Sequence, residues 1–115
     1  MTEKEDIIFV KHILDSTNAI KEFSVNLSKE ELSSNRLKQN AIVREIEIIG
    51  EASKNISNKT KDMHQEVKWK EIVGTRDKMI HHYFGIDITL LWEIIKRDIP
   101  ILEKQMQNIK EDLDK

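Results

Sequence analysis

The sequence predicts an all-α protein that forms one domain. Glycine, proline and aromatic residues are scarce, at three glycines, one proline and 5% aromatics, whereas isoleucine, leucine, glutamate and lysine are plentiful. This composition disfavours strands and favours helices. Apolar residues also recur at steps of three and four along most of the chain, as they do on one face of a helix. At a length of 115 residues, the segment 1–115 is expected to fold as a single domain around one core.

The first helix is expected from Asp6 to about Asn26, where apolar residues three and four positions apart define one broad face. Ser28 then stands three residues before Glu31, which is the arrangement that satisfies free amide groups at a helix start. A short helical turn is therefore predicted after Ser28.

A core helix is predicted from about residue 35 to residue 56. Its stripe steps by four, three, four and three residues through Ile42, Ile46, Ile49, Ser53 and Ile56. The opposite side carries Arg44, Glu47 and Glu51, which lie within roughly 60° of one another on a helical wheel. These charges either form a solvated or intrahelically paired face, or Arg44 and Glu51 line or brace a site. Gly50 costs up to about 1 kcal/mol against alanine, which a close helix crossing would offset.

The next part of the chain is less regular. Residues 57–68 are polar and lack periodicity, so a connector with at most a short helix is predicted there. An apolar patch at residues 69–73 precedes Gly74 and is interpreted as a core anchor. Thr75 is expected to cap the following helix, with Asp77 favourably placed near the positive end of that helix.

The last helix carries the longest stripe, and Asp87 is expected to cap its start. The stripe alternates steps of four and three through Ile88, Trp92, Ile95, Ile99, Leu102, Met106, Ile109 and Leu113. This is a heptad seam. Pro100 lies within it and removes one backbone bond, so a kink is predicted near Lys96 to Pro100. The helix would run about 39 Å, longer than a bundle of this size is expected to cover, so part of the seam is expected to pack on a second subunit.

Composition excludes several classes of protein. The absence of cysteine excludes disulfides, thiolate metal sites and a cysteine nucleophile. No apolar run reaches the roughly 18 residues of a membrane span, and the acidic start differs from a secretory signal, so a cytoplasmic protein without membrane contact is expected. The net charge is −2, but residues 54–82 carry seven Lys or Arg against four Asp or Glu. This region either meets phosphates or simply holds scattered solvated lysines.

Residues 76–87 concentrate cations and imidazoles between Gly74 and Gly85. If residues 76–83 are helical, Arg76 falls on the half that should be buried, beside Tyr83. A buried guanidinium then needs a carboxylate, carbonyls or a phosphate. His81 lies about 140° round the same helix, so Arg76 and His81 would bracket a space.

Such a bracket suits an RNA phosphodiester. An imidazole can move a proton from the 2′-OH or to the leaving oxygen, while a guanidinium offers two parallel donors to the phosphate as charge builds. This scheme requires no metal and no cofactor. His81 and His82 are a poor candidate for a metal site, because neighbouring helical residues point apart and no H-E-x-x-H pattern accompanies them. The sequence also contains no P-loop, G-x-S-x-G or dinucleotide-binding glycine pattern.

The spacing Arg76-x4-His81-x-Tyr83, followed by Phe84-Gly85-Ile86-Asp87, resembles the R-x4-H-x-Y signature of the HepT-like branch of the HEPN superfamily. The blocks at residues 47–52, 69–77 and 92–100 also resemble blocks of that family in the same order. The resemblance therefore covers essentially the whole chain. It implies a HEPN-type up-and-down bundle of four to five helices that forms a homodimer and brings two R-x4-H motifs to a shared cleft.

The same resemblance implies a toxin of a toxin–antitoxin pair that cleaves RNA without metal. Arg76 would bind and stabilise phosphate, and His81 would be the acid/base residue. Tyr83 matches the tyrosine that the partner antitoxin, a small MntA-like nucleotidyltransferase, modifies with AMP. Adenylate beside Arg76 would supply charge and bulk where the substrate phosphate lies. Asp77 falls within the usual choices of the family, and His82 receives no role.

Two other functions stay open at the level of sequence. A non-catalytic HEPN module would bind a nucleotidyltransferase or a nucleotide and cleave nothing. A structural coiled-coil adaptor would use the long stripe alone, so that the loss of Arg76 would change stability without changing any activity.

Overall fold

The computed structural model describes residues 3–81 and 85–115, and the side chains of residues 5–79 and 85–115. The first five helices are α1 (Glu3–Phe23), α2 (Lys29–Ser34), α3 (Arg36–Lys54), α4 (Asn58–Met63) and α5 (Trp69–Met79). They are followed by strands β1 (Ile80–His81) and β2 (Gly85–Ile86), then α6 (Ile88–Glu93), a π-helical segment (Ile94–Asp98) and α7 (Ile99–Leu113). The last three segments form one continuous helix of 26 residues.

The all-α bundle predicted from the sequence is confirmed. Helix α1 packs along both α3 and α7, and α3 also packs against α5. Their apolar stripes meet in one core, whose fully covered members include Val10, Ile13, Ile20, Ile42, Met79, Leu91, Met106 and Ile109. Within the described ranges, none of the helices is long and apolar enough to cross a bilayer.

The predicted caps at two helix starts are confirmed. The Ser28 hydroxyl accepts a bond from the Glu31 amide at 3.1 Å, and the Ser28 amide donates to the Glu31 carboxylate at 3.2 Å. Asp87 accepts a bond from the Leu90 amide at 3.0 Å and so begins the last helix. In the polar connector the structure has the single short helix α4, which Ser57 caps.

Asp6 joins the first helix to that connector. Its carboxylate is fully buried and accepts bonds from the Ser57 amide at 2.8 Å, the Ser57 hydroxyl at 2.6 Å and the Thr60 hydroxyl at 2.6 Å. The three donors satisfy a charge that would otherwise be costly to bury. The start of α4 is therefore fixed against α1.

The predicted helix start at Thr75 is wrong. Helix α5 already begins at Trp69 and runs through Gly74 and Thr75 without a break. The Thr75 hydroxyl donates to the Glu71 carbonyl at 2.6 Å, as a threonine inside a helix does. The apolar patch at residues 69–73 is thus the first half of α5, because the helix tolerates one glycine without ending.

The assumption that the chain stays helical from Arg76 to Tyr83 is also wrong. Helix α5 ends at Met79, and Ile80–His81 pairs in antiparallel fashion with Gly85–Ile86. Gly85 has a φ of +80°, a conformation in which glycine is favoured over other residues. Arg76 and His81 therefore belong to different elements, and the angle of about 140° derived for one helix does not apply to them.

Pro100 is accommodated by the π-helical segment, which ends two residues before it at Asp98. The Ile99 amide bonds to the Ile94 carbonyl, five residues back, so the turn before the proline is wider than an α-helical turn. A proline in a regular helix clashes with the carbonyl four residues earlier, here that of Lys96. The disturbance lies where the sequence predicts the kink, and the apolar phase continues across it.

The expectation that part of the long stripe packs on a second subunit loses its basis. Its middle members, from Ile95 to Ile109, are all buried inside this chain, and Ile88, Trp92 and Leu113 pack against the same core. The longest dimension of the molecule is 44 Å. A helix of about 39 Å therefore fits one subunit, because α1 lies beside it.

Candidate functional site

A polar groove runs between the outer face of α3 and the second half of α5, and it is called the α3–α5 groove below. Its volume is about 340 Å³. Its charged lining consists of Arg44, Glu47, Glu51, Lys54, Arg76 and Asp77. The structure thus brings together four of the sequence-predicted site residues, namely Arg76, Asp77, Arg44 and Glu51.

The packing of α3 explains why these side chains face one groove. Ile46 and Ile49 are buried in the core, so the opposite side of α3 carries its charges outward. Gly50 lies at the crossing with α5, where an added Cβ would sit 3.8 Å from the carbonyl oxygens of Ile72 and Val73. The close approach of the two backbones brings the last turn of α5 beside the charged face of α3.

Arg76 links the two helices across this groove. Its Nε lies 3.1 Å from Oε2 of Glu47, and its Nη1 lies 3.6 Å from Oδ1 of Asp77. The predicted need for a carboxylate partner is met, but the predicted burial is wrong, because the Arg76 side chain is 50% exposed. The reason is that α5 ends one turn later, so Arg76 lies at the rim of the groove.

Arg44 differs from the other cations of the groove. Lys54 lies 3.3 Å from the Glu51 carboxylate, and Arg76 has two acids beside it. Among the residues whose side chains are described, Arg44 has no carboxylate within the 4.0 Å of an ion pair. It is an exposed guanidinium on the groove wall, and its donors suit a phosphate.

The other half of the predicted site lies only partly within the described residues. The backbone of His81 is in β1, which follows α5 directly, and the Asp87 amide bonds to the Met79 carbonyl at 2.7 Å. The strand pair therefore stays at the end of α5 that carries Arg76. The His81 side chain and the whole of His82 and Tyr83 lie outside the described residues, so their roles stay predictions.

Glu47 and Lys54 are the charged groove residues that were not predicted as site residues from the sequence, and Glu47 is the one that contacts Arg76. The helical wheel places it on the same face as Arg44 and Glu51, but spacing within α3 carries no information about α5. The sequence does contain one relevant signal, because a buried arginine needs a carboxylate partner. Which acid of the chain is that partner can be decided only when the crossing of α3 and α5 is known.

A second and larger groove, of about 520 Å³, lies between α5 and the last helix. Its floor is formed by isoleucines such as Ile46, Ile72 and Ile99, and its rim is mixed in charge. Arg97 on that rim lies 3.2 Å from Asp98, its neighbour on the last helix. The smaller groove differs in holding Arg76 and, among the residues with described side chains, a guanidinium without an ion pair.

Over residues 5–79 and 85–115, no group of three or more histidine, aspartate or glutamate side chains is arranged to hold a metal ion. The His64 ring lies 3.3 Å from Glu66 and 3.4 Å from Asp112. These contacts tie the connector after α4 to the end of α7.

The amino-acid sequence of the chain matches a known ribonuclease family. Residues 13–109 match the family described as "Ribonuclease HepT-like". The chain belongs to the HepT-like ribonuclease family, as the R-x4-H-x-Y spacing indicates. No solved structure matches the chain at a significant level.

Curated relatives support the same family. A protein of Methanocaldococcus jannaschii named "Putative RNase" is 40% identical over 93% of this chain and 98% of its own length. A protein of Thermococcus cleftensis named "Probable ribonuclease HepT" is 39% identical over 89% of this chain and 93% of its own length. Another M. jannaschii relative is named "Gamma-glutamylcyclotransferase and putative RNase" and is 38% identical over 97% of this chain. The chain spans only half the length of that relative.

Proposed function

We propose that the protein is a cytoplasmic endoribonuclease, the toxin of a toxin–antitoxin pair, which cleaves RNA without metal through Arg76 and His81 at a homodimer cleft. The observation that carries the proposal is the position of Arg76. Its guanidinium lies at the rim of the α3–α5 groove, with its Nε 3.1 Å from Oε2 of Glu47. Membership of the HepT-like family and the ribonuclease names of its relatives support this reading.

In the proposed reaction Arg76 binds the scissile phosphate. An arginine presents five N–H donors in a fixed plane, and two parallel donors match two phosphate oxygens. As the 2′-oxygen attacks phosphorus, charge builds on those oxygens and the contact strengthens. His81 takes the proton of the 2′-OH or delivers a proton to the leaving 5′-oxygen, which are steps that an imidazole can serve near neutral pH.

The rest of the groove would hold the RNA chain on either side of the cut. Arg44 is available for a neighbouring phosphate, since none of the described acids pairs with it. Glu51 and Asp77 would limit how strongly the groove attracts the phosphates of RNA, because each carries a negative charge on the groove wall. Binding would therefore depend on correct placement of phosphates as well as on net charge.

Control of the enzyme is assigned to Tyr83. The proposed partner is an MntA-like nucleotidyltransferase antitoxin that transfers AMP to the hydroxyl of Tyr83. Tyr83 lies seven positions after Arg76 in the sequence, beyond the end of α5. A phosphate-linked adenylate there would compete with RNA for Arg76 and block the entry of the scissile phosphate.

The proposed catalytic pair is tested with His81→Ala and Arg76→Ala. Each variant is expected to lose RNA cleavage by at least on the order of 100-fold, the usual contribution of an acid/base residue or a charge-stabilising donor. Cleavage is followed on total RNA in EDTA, and growth arrest is followed without the antitoxin. His12→Ala and Arg36→Ala change exposed residues of the same types away from the groove and serve as controls.

The outcome that would contradict the proposal is equally specific. If His81→Ala degrades RNA and arrests growth as well as the unmodified chain, the protein does not use this residue as its acid or base. If the unmodified chain cleaves nothing and arrests no growth, the protein is a non-catalytic HEPN module. Cleavage that disappears in EDTA and returns with added metal would refute metal independence alone.

A further inference from the structure

We propose that Glu47 is a positioning residue that fixes the guanidinium of Arg76 for its contact with the RNA phosphate. This role rests on the proposed ribonuclease function and extends it to a residue of a different helix. Glu47 does not touch the substrate in this proposal. It acts through Arg76.

The contact itself selects Glu47 over the other acid beside Arg76. Glu47 Oε2 lies 3.1 Å from Nε, whereas Asp77 Oδ1 lies 3.6 Å from Nη1. The Glu47 side chain is 31% exposed and the Asp77 side chain is 86% exposed. Glu47 also belongs to α3, whose neighbouring residues Ile46 and Ile49 are buried, so its position is the better defined of the two.

The atom that Glu47 contacts decides what remains for a ligand. Nε carries a single N–H, and the two terminal nitrogens carry four more. The ion pair with Glu47 restrains the guanidinium from its inner side by charge, while the outer edge formed by Nη1 and Nη2 has Asp77 at the longer distance of 3.6 Å from Nη1. That edge presents the two parallel donors that a phosphate accepts. Ordering this side chain in advance reduces the entropy lost when RNA binds.

A negative charge so close to a phosphate site repels the phosphate and weakens its binding, and this effect makes a test possible. Glu47→Gln and Glu51→Gln each remove one charge from the wall of the same groove, but Glu51 lies next to Lys54 instead of Arg76. If groove charge alone governs the reaction, both variants bind RNA more tightly and cleave it at least as fast. If Glu47 positions Arg76, only Glu47→Gln slows cleavage.

The first measurement is the separation of kcat and KM on a short RNA. Glu47→Gln is expected to lower kcat by on the order of tenfold to 100-fold, the range that follows from a misplacement of about 1 Å, and Glu51→Gln is expected to lower KM. Glu45→Gln changes another acid of α3 that does not line the groove and is the matched control. Urea unfolding of each variant separates a loss of fold from a loss of positioning.

The second measurement uses a 2′-O-methyl RNA, which binds but cannot be cleaved. In the otherwise unmodified chain, Glu47→Gln is expected to weaken binding of this RNA, because the Arg76 side chain is no longer ordered in advance. In the Arg76→Ala background, the same change is expected to leave the affinity unchanged or slightly improved, since the residue through which Glu47 acts is gone. A loss of affinity in that background as large as in the unmodified chain would overturn the proposal, because Glu47 would then act without Arg76.

The third measurement needs no RNA and reads the link directly. In nitrogen NMR, the Nε–Hε bond of Arg76 is expected to be more rigid, with a higher order parameter, in the unmodified chain and in Glu51→Gln than in Glu47→Gln. Equal order parameters in all three proteins would overturn the positioning role. A protein that cleaves no RNA but shows the expected difference in order parameter would refute the ribonuclease function while retaining the link between Glu47 and Arg76.

Discussion

At the scale of single residues, the α3–α5 groove separates paired cations from an unpaired one. Arg76 and Lys54 each lie beside a carboxylate, whereas Arg44 has none among the residues with described side chains. The guanidinium of a paired arginine is restrained by its acid, so the residue can position a phosphate. An unpaired arginine attracts a phosphate with its full positive charge, because no acid of the groove neutralises that charge.

This difference gives Arg44 a measurable signature. We expect Arg44→Gln to weaken binding of a 2′-O-methyl RNA and to reduce the salt dependence of binding by about 0.7 in the slope of log K against log salt, the value for one phosphate contact of a single strand. Titrations at several salt concentrations give this slope. Arg36→Gln removes the same charge at the start of α3 and is expected to keep the slope. A slope that Arg44→Gln leaves unchanged would place Arg44 outside the path of the RNA.

From the sequence, the residues of the groove face could be predicted, but their contacts and burial could not. It placed Arg44, Glu47 and Glu51 on one face of one helix, and the structure has them on one groove wall. It predicted that Arg76 needs an anion, which the contact with Glu47 supplies. The predicted burial of Arg76 was wrong because it depended on a helix reaching Tyr83, and the point where α5 ends is set by the β1–β2 pair.

At the scale of elements, prediction was best where a local rule fixes a helix end. The Ser28 capping box and the Asp87 cap depend on side chains within three residues of the amides they bind, so the sequence contains the whole motif. The start of α5 was missed because Gly74 and Thr75 resemble a helix boundary while tertiary packing carries α5 through them. Strands of two residues leave no periodicity to detect.

The bond network of Asp6 is an element-scale feature that no local rule reveals, since its donors at Ser57 and Thr60 are more than 50 positions away. We expect Asp6→Ala to lower the free energy of unfolding by about 2–4 kcal/mol, because one buried donor and two partly buried donors lose their acceptor. Asp6→Asn keeps the shape and is expected to lose less. Urea unfolding measures both changes.

The control for this prediction lies on the same helix. Asp15 is exposed on α1, and Asp15→Ala is expected to change the free energy of unfolding by no more than about 0.5 kcal/mol. If Asp6→Ala is as stable as Asp15→Ala, then water or other groups satisfy Ser57 and Thr60, and the carboxylate does not hold α4 against α1.

At the scale of the whole molecule, the structure changes the argument for a dimer. The last helix is buried along its own subunit, so its length gives no reason for a second chain. The proposed dimer now depends on the R-x4-H motif of the HepT-like family to which the chain belongs, and on the idea that a shared cleft combines Arg76 and His81 of different subunits. That idea is tested by mixing the subunits.

Two differently tagged chains, one carrying Arg76→Ala and the other His81→Ala, are co-expressed and purified through both tags. If Arg76 of one subunit works with His81 of its partner, the mixed dimer keeps one intact pair and is expected to cleave RNA faster than either parent homodimer. Dimers with Arg76→Ala or His81→Ala on both tagged chains are the controls, and light scattering at micromolar concentration verifies the assembly. A mixed dimer as inactive as its parents would mean that each subunit uses its own pair, and a monomer in solution would remove the shared cleft altogether, because the two motifs would never meet.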